Sequence, residues 1–195
     1  LVHVKETLFG VIGAKPPHLQ EKDGSSKAIE MKDMAIDVGL SEDEVRELVN
    51  VGDLITFKSP LISMEGEFVN GKSLDDRASV VLLYQTMQEL DRLKFNGEVY
   101  FVATVQEEVG TRGAIMSTYK LNPDIGIAID VTHADTPDSS REDTFSIDKG
   151  PAIAIGPNLH PELTQRLMDI AKENNIEFQI EVEPGPTGTD ARSIQ

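Results

Sequence analysis

Two adjacent carboxylates, Glu107 and Glu108, follow the apolar run Val99-Tyr-Phe-Val-Ala-Thr-Val105, in a segment bounded by Gly97 and Gly110. Two charges set against the end of a buried segment lose hydration, and a cationic partner offsets that cost. Asp75 and Asp76 stand in Gly71-Lys-Ser-Leu-Asp-Asp-Arg77, ahead of a long amphipathic run, and Asp130 ends a second apolar stretch, Asp124-Ile-Gly-Ile-Ala-Ile-Asp130. Acidic groups at three element ends, brought to one sheet edge, form the kind of oxygen cluster that holds hard or borderline divalent cations. The chemistry indicated is metal-assisted.

Around this set lie weaker candidates. Asp76 suits a helix start, where an acid complements the dipole, and so does Asp75. His133 follows Asp130 by three residues and could sit behind a ligand. Asp190 closes Pro184-Gly-Pro-Thr-Gly-Thr-Asp190, a glycine-containing loop able to pass close to a ligand. Lys72 and Arg77 balance neighbouring acids. His3, His18 and His160 fall in loop or edge contexts and read as solvated.

Other chemistries lack their residues. There is no His-Glu-x-x-His, and Gly110-Thr-Arg-Gly113 is followed by no Lys-Ser/Thr of a phosphate loop. No Gly-x-Ser-x-Gly elbow presents a serine nucleophile. A glycosidase needs two carboxylates ~5 to 9.5 Å apart across one sugar, whereas neighbours on a strand point to opposite faces. Glu107 and Glu108 can share a site only where the strand has broken into loop.

The elements that must position these groups can be read in order. Phe9 to Gly13 reads as a short strand, and Lys15-Pro-Pro-His-Leu19 excludes a helix or a central strand. Gln20 to Lys27 is a polar loop. Ser41-Glu-Asp-Glu44 is a capping box opening a helix to about Asn50. Residues 52–57 and 61–64 read as short strands about the Ser59-Pro60 turn.

From residue 67 the rhythm alternates. A helix is expected over 74–93, a strand buried on both faces over 98–105, a short helix over 111–118 and a strand over 124–130. A polar loop follows over 133–149. A strand at 151–155, a helix opened by Pro161 and a half-exposed strand at 176–182 complete the pattern of an α/β layer fold.

Composition sets the outer bounds. The chain has 195 residues, 39% apolar and 27% charged, with 5% aromatic content and no Trp. Its net charge of −16 excludes phosphate-backbone binding, so no nucleic-acid partner is expected. Without cysteine there is neither a disulfide nor a thiolate ligand. No signal-peptide pattern is present, and no apolar run approaches the ~18 to 20 residues of a membrane span. A cytoplasmic protein without membrane partners is expected. The ends fall inside strand-like and helix-like sequence, which suggests an internal piece of a longer polypeptide.

Together, Gly71-Lys-Ser-Leu-Asp-Asp-Arg77, Gln106-Glu-Glu-Val-Gly-Thr-Arg-Gly113 and Ala128-Ile-Asp-Val-Thr132 resemble the dinuclear metallo-aminopeptidases that form tetrahedral particles. These are the glutamyl and deblocking aminopeptidases, whose homologues are often labelled endoglucanases. Gly10-Val-Ile-Gly-Ala-Lys-Pro-Pro-His-Leu19 and Gly188-Thr-Asp-Ala191 also match, so the resemblance spans essentially the whole chain.

The resemblance implies an α/β fold, a mixed sheet with flanking helices. Residues 67–195 would be a zinc-aminopeptidase-like catalytic domain without its first strands and its C-terminal end. Residues 1–66 would be part of a β-rich inserted oligomerisation domain. It further implies peptide substrates and a homo-oligomer such as a dodecamer. Asp75 would bridge two divalent metal ions (zinc, cobalt or manganese) and be joined to Asp76 by a cis peptide. Glu108 and Asp130 would each complete one ion's shell, and Glu107 would be the general base. Two histidine ligands of the family pattern have no counterpart here. Two rival readings follow, a catalytically silent assembly module and a glycoside hydrolase of the endoglucanase type.

Overall fold

The computed structural model describes residues 1–4, 7–13, 29–140 and 144–194. The expected Pro-Pro segment at 15–19 and the polar loop at 20–27 lie outside the described residues. The chain forms two compact units, residues 1–72 and 73–195.

The first unit is built from short strands and one helix. β1 (Val2–His3) pairs antiparallel with β2 (Thr7–Leu8) and with β5 (Leu54–Ile55), and β3 (Val11–Gly13) pairs with β4 (Ala35–Asp37). Val2 is the buried apolar residue of this unit among the described residues. α1 (Glu42–Leu48) opens at the capping box read from the sequence: Ser41 N donates to Glu44 Oε2 at 2.8 Å, and Ser41 Oγ accepts from Glu44 N. β6 (Ile62–Ser63) and β7 (Val69–Asn70) form a hairpin whose turn places Gly66 at φ 74°.

The second unit is mixed α/β. α2 (Leu74–Leu90) and α3 (Arg112–Leu121) are followed by β8 (Ala152–Ile155), α4 (Pro161–Glu173) and β9 (Gln179–Val182), with α5 (Ala191–Ile194) last. β8 and β9 pair in parallel with α4 between them, a βαβ unit, and Pro161 occupies the first turn of α4. Ala114 on α3 and Ala171 on α4 are buried.

Two expected strands differ. Residues 98–105 and 124–130 join no ladder among the described residues. Val99 is 49% exposed and Ile127 62% exposed. Apolar composition marks a segment that is to be covered on both faces. A strand exists only with a hydrogen-bonded neighbour, and no neighbour for either run lies among the described residues. The same holds for the apolar stripe of α2, where Val81 and Leu82 remain exposed. No helix among the described residues is long and apolar enough to cross a membrane.

Candidate metal centre

The loop after Val105 takes Glu107 and Glu108 out of strand alternation. Gln106 and Thr111 have positive φ of 59° and 53°, and Gly110 has φ 112°. The Glu107 carbonyl accepts from Gly110 N and Thr111 N, both at 2.9 Å, and Gly113 N closes the loop on Val105 O at 2.9 Å. The condition under which both acids can share a site is thereby met.

The closure depends on Gly113. A Cβ there would lie 2.3 Å from Val105 O and 2.6 Å from Val105 N, both backbone atoms that cannot swing aside. Gly113→Ala is expected to destabilise the unit by about 2 kcal/mol, as overpacking does. Urea unfolding checks this, and an unchanged midpoint would contradict it.

Asp75 and Asp76 precede the regular part of α2. Ser73 is left-handed (φ 60°), Asp75 and Asp76 are non-helical, and the peptide between them is cis. Asp76 Oδ1 accepts from Ser79 N at 3.2 Å, so this acid does cap the helix. The Asp75 side chain makes no hydrogen bond or ion pair among the described residues, which leaves its carboxylate free for a ligand.

The remaining acids come from two further segments. Asp130 Oδ1 accepts from Val131 N at 2.8 Å. Asp190 Oδ2 accepts from Thr104 Oγ1 at 2.6 Å, while its Oδ1 is buried with no hydrogen-bond partner among the described residues. Thr104 was not singled out in the sequence. Its only signal there is an aliphatic hydroxyl inside an apolar run. His133 is exposed, and its contribution is a backbone carbonyl accepting from Phe145 N at 2.9 Å; its ring joins no hydrogen bond or ion pair among the described residues.

Electrostatics ties the acids together. Burial pushes the Glu107 carboxyl above its ordinary value, and the charges of Asp130, Asp190, Glu108 and Asp75 push it further. Burial also raises Asp130, against the Val131 N–H that lowers it, with Asp76, Asp75 and Asp190 adding to the rise. None of these six acids is ion-paired to Lys, Arg or His among the described residues.

At ligand distance the picture is looser: no three His, Cys, Asp or Glu side chains among the described residues stand ready to hold one ion. The two findings concern different lengths. Charges act over roughly 8 to 10 Å, whereas ligand bonds are about 2 Å long. Uncompensated carboxylates repel and stay apart until a cation draws them in. The donor set, all carboxylate oxygen with one buried acceptor unpaired, fits a hard or borderline divalent cation.

A pH dependence follows. Because the folded-state value of Glu107 is raised, its charge costs nothing below the unfolded value of about 4.3. Stability is then lost as pH rises through the folded value. In metal-free protein, Glu107→Gln is expected to melt higher than wild type at neutral pH and at the same temperature near pH 3.5, an approximate lower bound set by that value. Thermal melts across that range check it, and a difference that does not change with pH would contradict it.

The family model for M42 glutamyl aminopeptidase matches residues 1–195. The chain is 35% identical over 191 residues to the lysyl aminopeptidase of Pyrococcus furiosus, covering 96% of this chain and 54% of that protein. The TET aminopeptidase structure from the marine sediment archaeon Thaumarchaeota archaeon SCGC AB-539-E09 superposes with a TM-score of 0.83 at 34% identity, covering 95% of this chain and 54% of that one. The Pyrococcus horikoshii TET1 peptidase, which can assemble into a tetrahedron or a large octahedral shell, superposes with a TM-score of 0.77 at 34% identity, covering 97% and 58%. The chain thus spans about half the length of the relatives it matches. With the family model running through every residue that positions the acidic groups, the chain belongs to the M42 glutamyl aminopeptidase family.

Proposed function

We propose that the polypeptide containing this chain is a metal-dependent aminopeptidase that removes amino-terminal residues from peptides. The observation that carries the reading is the convergence of acids from four segments with no cationic partner among the described residues, within a chain of this family. Asp75, Glu108 and Asp130 would hold two divalent ions, zinc, cobalt or manganese, which when bound polarise the scissile carbonyl and acidify a water.

The chain's own part is proton handling and orientation. A Glu107 Oε takes a proton from the attacking water as the water oxygen bonds to the carbonyl carbon. The same proton passes to the leaving nitrogen as the C–N bond breaks. A base that is not itself a ligand keeps a lone pair for this step. The hydrogen bonds of the 105–113 loop fix the Glu107 backbone, so the carboxylate is placed before substrate arrives.

In the same reading, residues 1–66 are part of an inserted β-rich domain that makes subunit contacts, and 67–195 are part of the catalytic domain. The self-assembly of the P. horikoshii peptidase supports a homo-oligomer such as a dodecamer.

The test is hydrolysis of aminoacyl anilides by the complete polypeptide. Turnover abolished by chelator, with no reducing sugar released from cellulose, is expected. Sugar release would favour the endoglucanase reading. A protein that assembles but cleaves neither substrate would favour the assembly module.

A further inference from the structure

We propose that Thr111 is a positioning residue for Glu107, acting through the hydroxyl bond that ties it to Ser193; this rests on the reading of Glu107 as the general base. Thr111 is 4% exposed and left-handed, at φ 53° and ψ 29°. A β-branched residue meets backbone strain there, and such a conformation persists only where the surroundings over-determine it. Threonine ahead of a helix ordinarily caps it, yet the Thr111 side chain makes no capping hydrogen bond to α3. Its hydroxyl is committed instead to Ser193 Oγ, 82 positions on in sequence. A hydroxyl this deeply buried needs a partner, and breaking the pair leaves the strained turn without its hold.

The backbone of Thr111 reaches the base. Its N–H donates to the Glu107 carbonyl at 2.9 Å, beside the Gly110 N–H at the same distance, and its carbonyl accepts from Ile115 N at 3.3 Å as α3 begins. One residue therefore joins the Glu107 backbone to the first turn of α3 and, through its side chain, to α5. When the left-handed turn relaxes, the Thr111 N–H leaves the Glu107 carbonyl and the base shifts with it.

The other end of the loop is tied to the same place. Thr104 stands just before Val105 and donates to Asp190 Oδ2 at 2.6 Å, so the residues on either side of the Glu107 loop are each bonded to the segment 190–193. That segment is one turn, closed by Ser193 N donating to Asp190 O at 2.9 Å. α5 is itself seated: a Cβ on Gly126 would run into the Ile194 side chain, so the helix lies on the backbone of the run that ends at Asp130. Pinning both ends of a short loop to one firm turn leaves its middle few conformations. A base held in this way needs little reorganisation when the proton moves.

The test uses the complete, zinc-loaded polypeptide and the aminoacyl anilide that wild type turns over fastest. For Thr111→Val, Thr111→Ser and Ser193→Ala, kcat and KM are measured beside the zinc affinity of each stripped protein and hydrogen exchange of the 105–113 amides. Thr111→Val is expected to lower kcat at least about tenfold, as a displaced reacting group does. KM and zinc affinity should stay within about twofold of wild type, with faster exchange at 110 and 111. Thr111→Ser, which keeps the hydroxyl, should behave as wild type. Ser193→Ala should match Thr111→Val, and the two combined should lose no more than either alone. In a Glu107→Gln background, Thr111→Val should leave the residual kcat unchanged, because a residue that acts through the base has nothing left to position.

A wild-type kcat in Thr111→Val, or an undiminished effect of that change in the Glu107→Gln background, would overturn the assignment. Should Thr111→Val not fold, Ser193→Ala, which alters the half-buried partner alone, carries both comparisons: the same fall in kcat is expected, and wild-type turnover would overturn the assignment. Wild-type turnover in Glu107→Gln sinks the base reading and this inference together. Collapse of turnover in Glu107→Gln with Thr111→Val like wild type sinks the inference alone.

Discussion

Glu107→Gln in the complete polypeptide is expected to lower kcat by about 10³-fold, the usual worth of a general base, with metal affinity nearly unchanged. The amide keeps the size of the side chain and the loop hydrogen bonds, which run through the Glu107 backbone rather than its carboxylate. What it loses is the lone pair that takes the proton. In the metal-free protein it also removes one of the mutually repelling charges, so that form of the variant should be no less stable than wild type. A thermal melt of the metal-loaded variant like that of wild type separates loss of turnover from unfolding. Steady-state kinetics beside a zinc titration settle the matter. Turnover like wild type would remove Glu107 as the base, and parallel loss of zinc would make it a ligand instead.

The second large effect is expected at Asp75. Asp75→Ala should weaken metal binding by more than about 100-fold, beyond what loss of a supporting contact costs, and should abolish turnover with it. Of the two acids that open α2, Asp76 is engaged as a cap on Ser79 N while the Asp75 side chain has no hydrogen bond or ion pair among the described residues. Asp76→Ala should accordingly destabilise by about 1 kcal/mol, as cap removal does. Metal titration and thermal melts of the two variants separate these roles. Near-native metal uptake in Asp75→Ala would contradict the assignment.

Local signals were readable from sequence because their physics is local. The Ser41 capping box and the Pro161 helix start each depend on a few adjacent residues, and both helices form there. The runs at 98–105 and 124–130 were readable as apolar but not as paired, since pairing belongs to a neighbour. The acids at 75, 76, 107, 108, 130 and 190 were legible as charges placed where elements end, and they share one electrostatic field. The Thr104–Asp190 bond was not legible, because neither residue's local sequence names a partner 86 positions away. His133 stands near Asp130 in sequence alone, and among the described residues only its backbone takes part in a hydrogen bond.

The most direct measurement is turnover of a peptide with a free amino terminus, followed as metal is added back to the stripped, complete polypeptide. No turnover without metal is expected, with activity rising to a plateau as occupancy approaches about two ions per chain. The same peptide acetylated at its amino terminus should stay uncut throughout. Undiminished cleavage by the stripped protein, or equal cleavage of the acetylated peptide, would contradict a metal-dependent aminopeptidase.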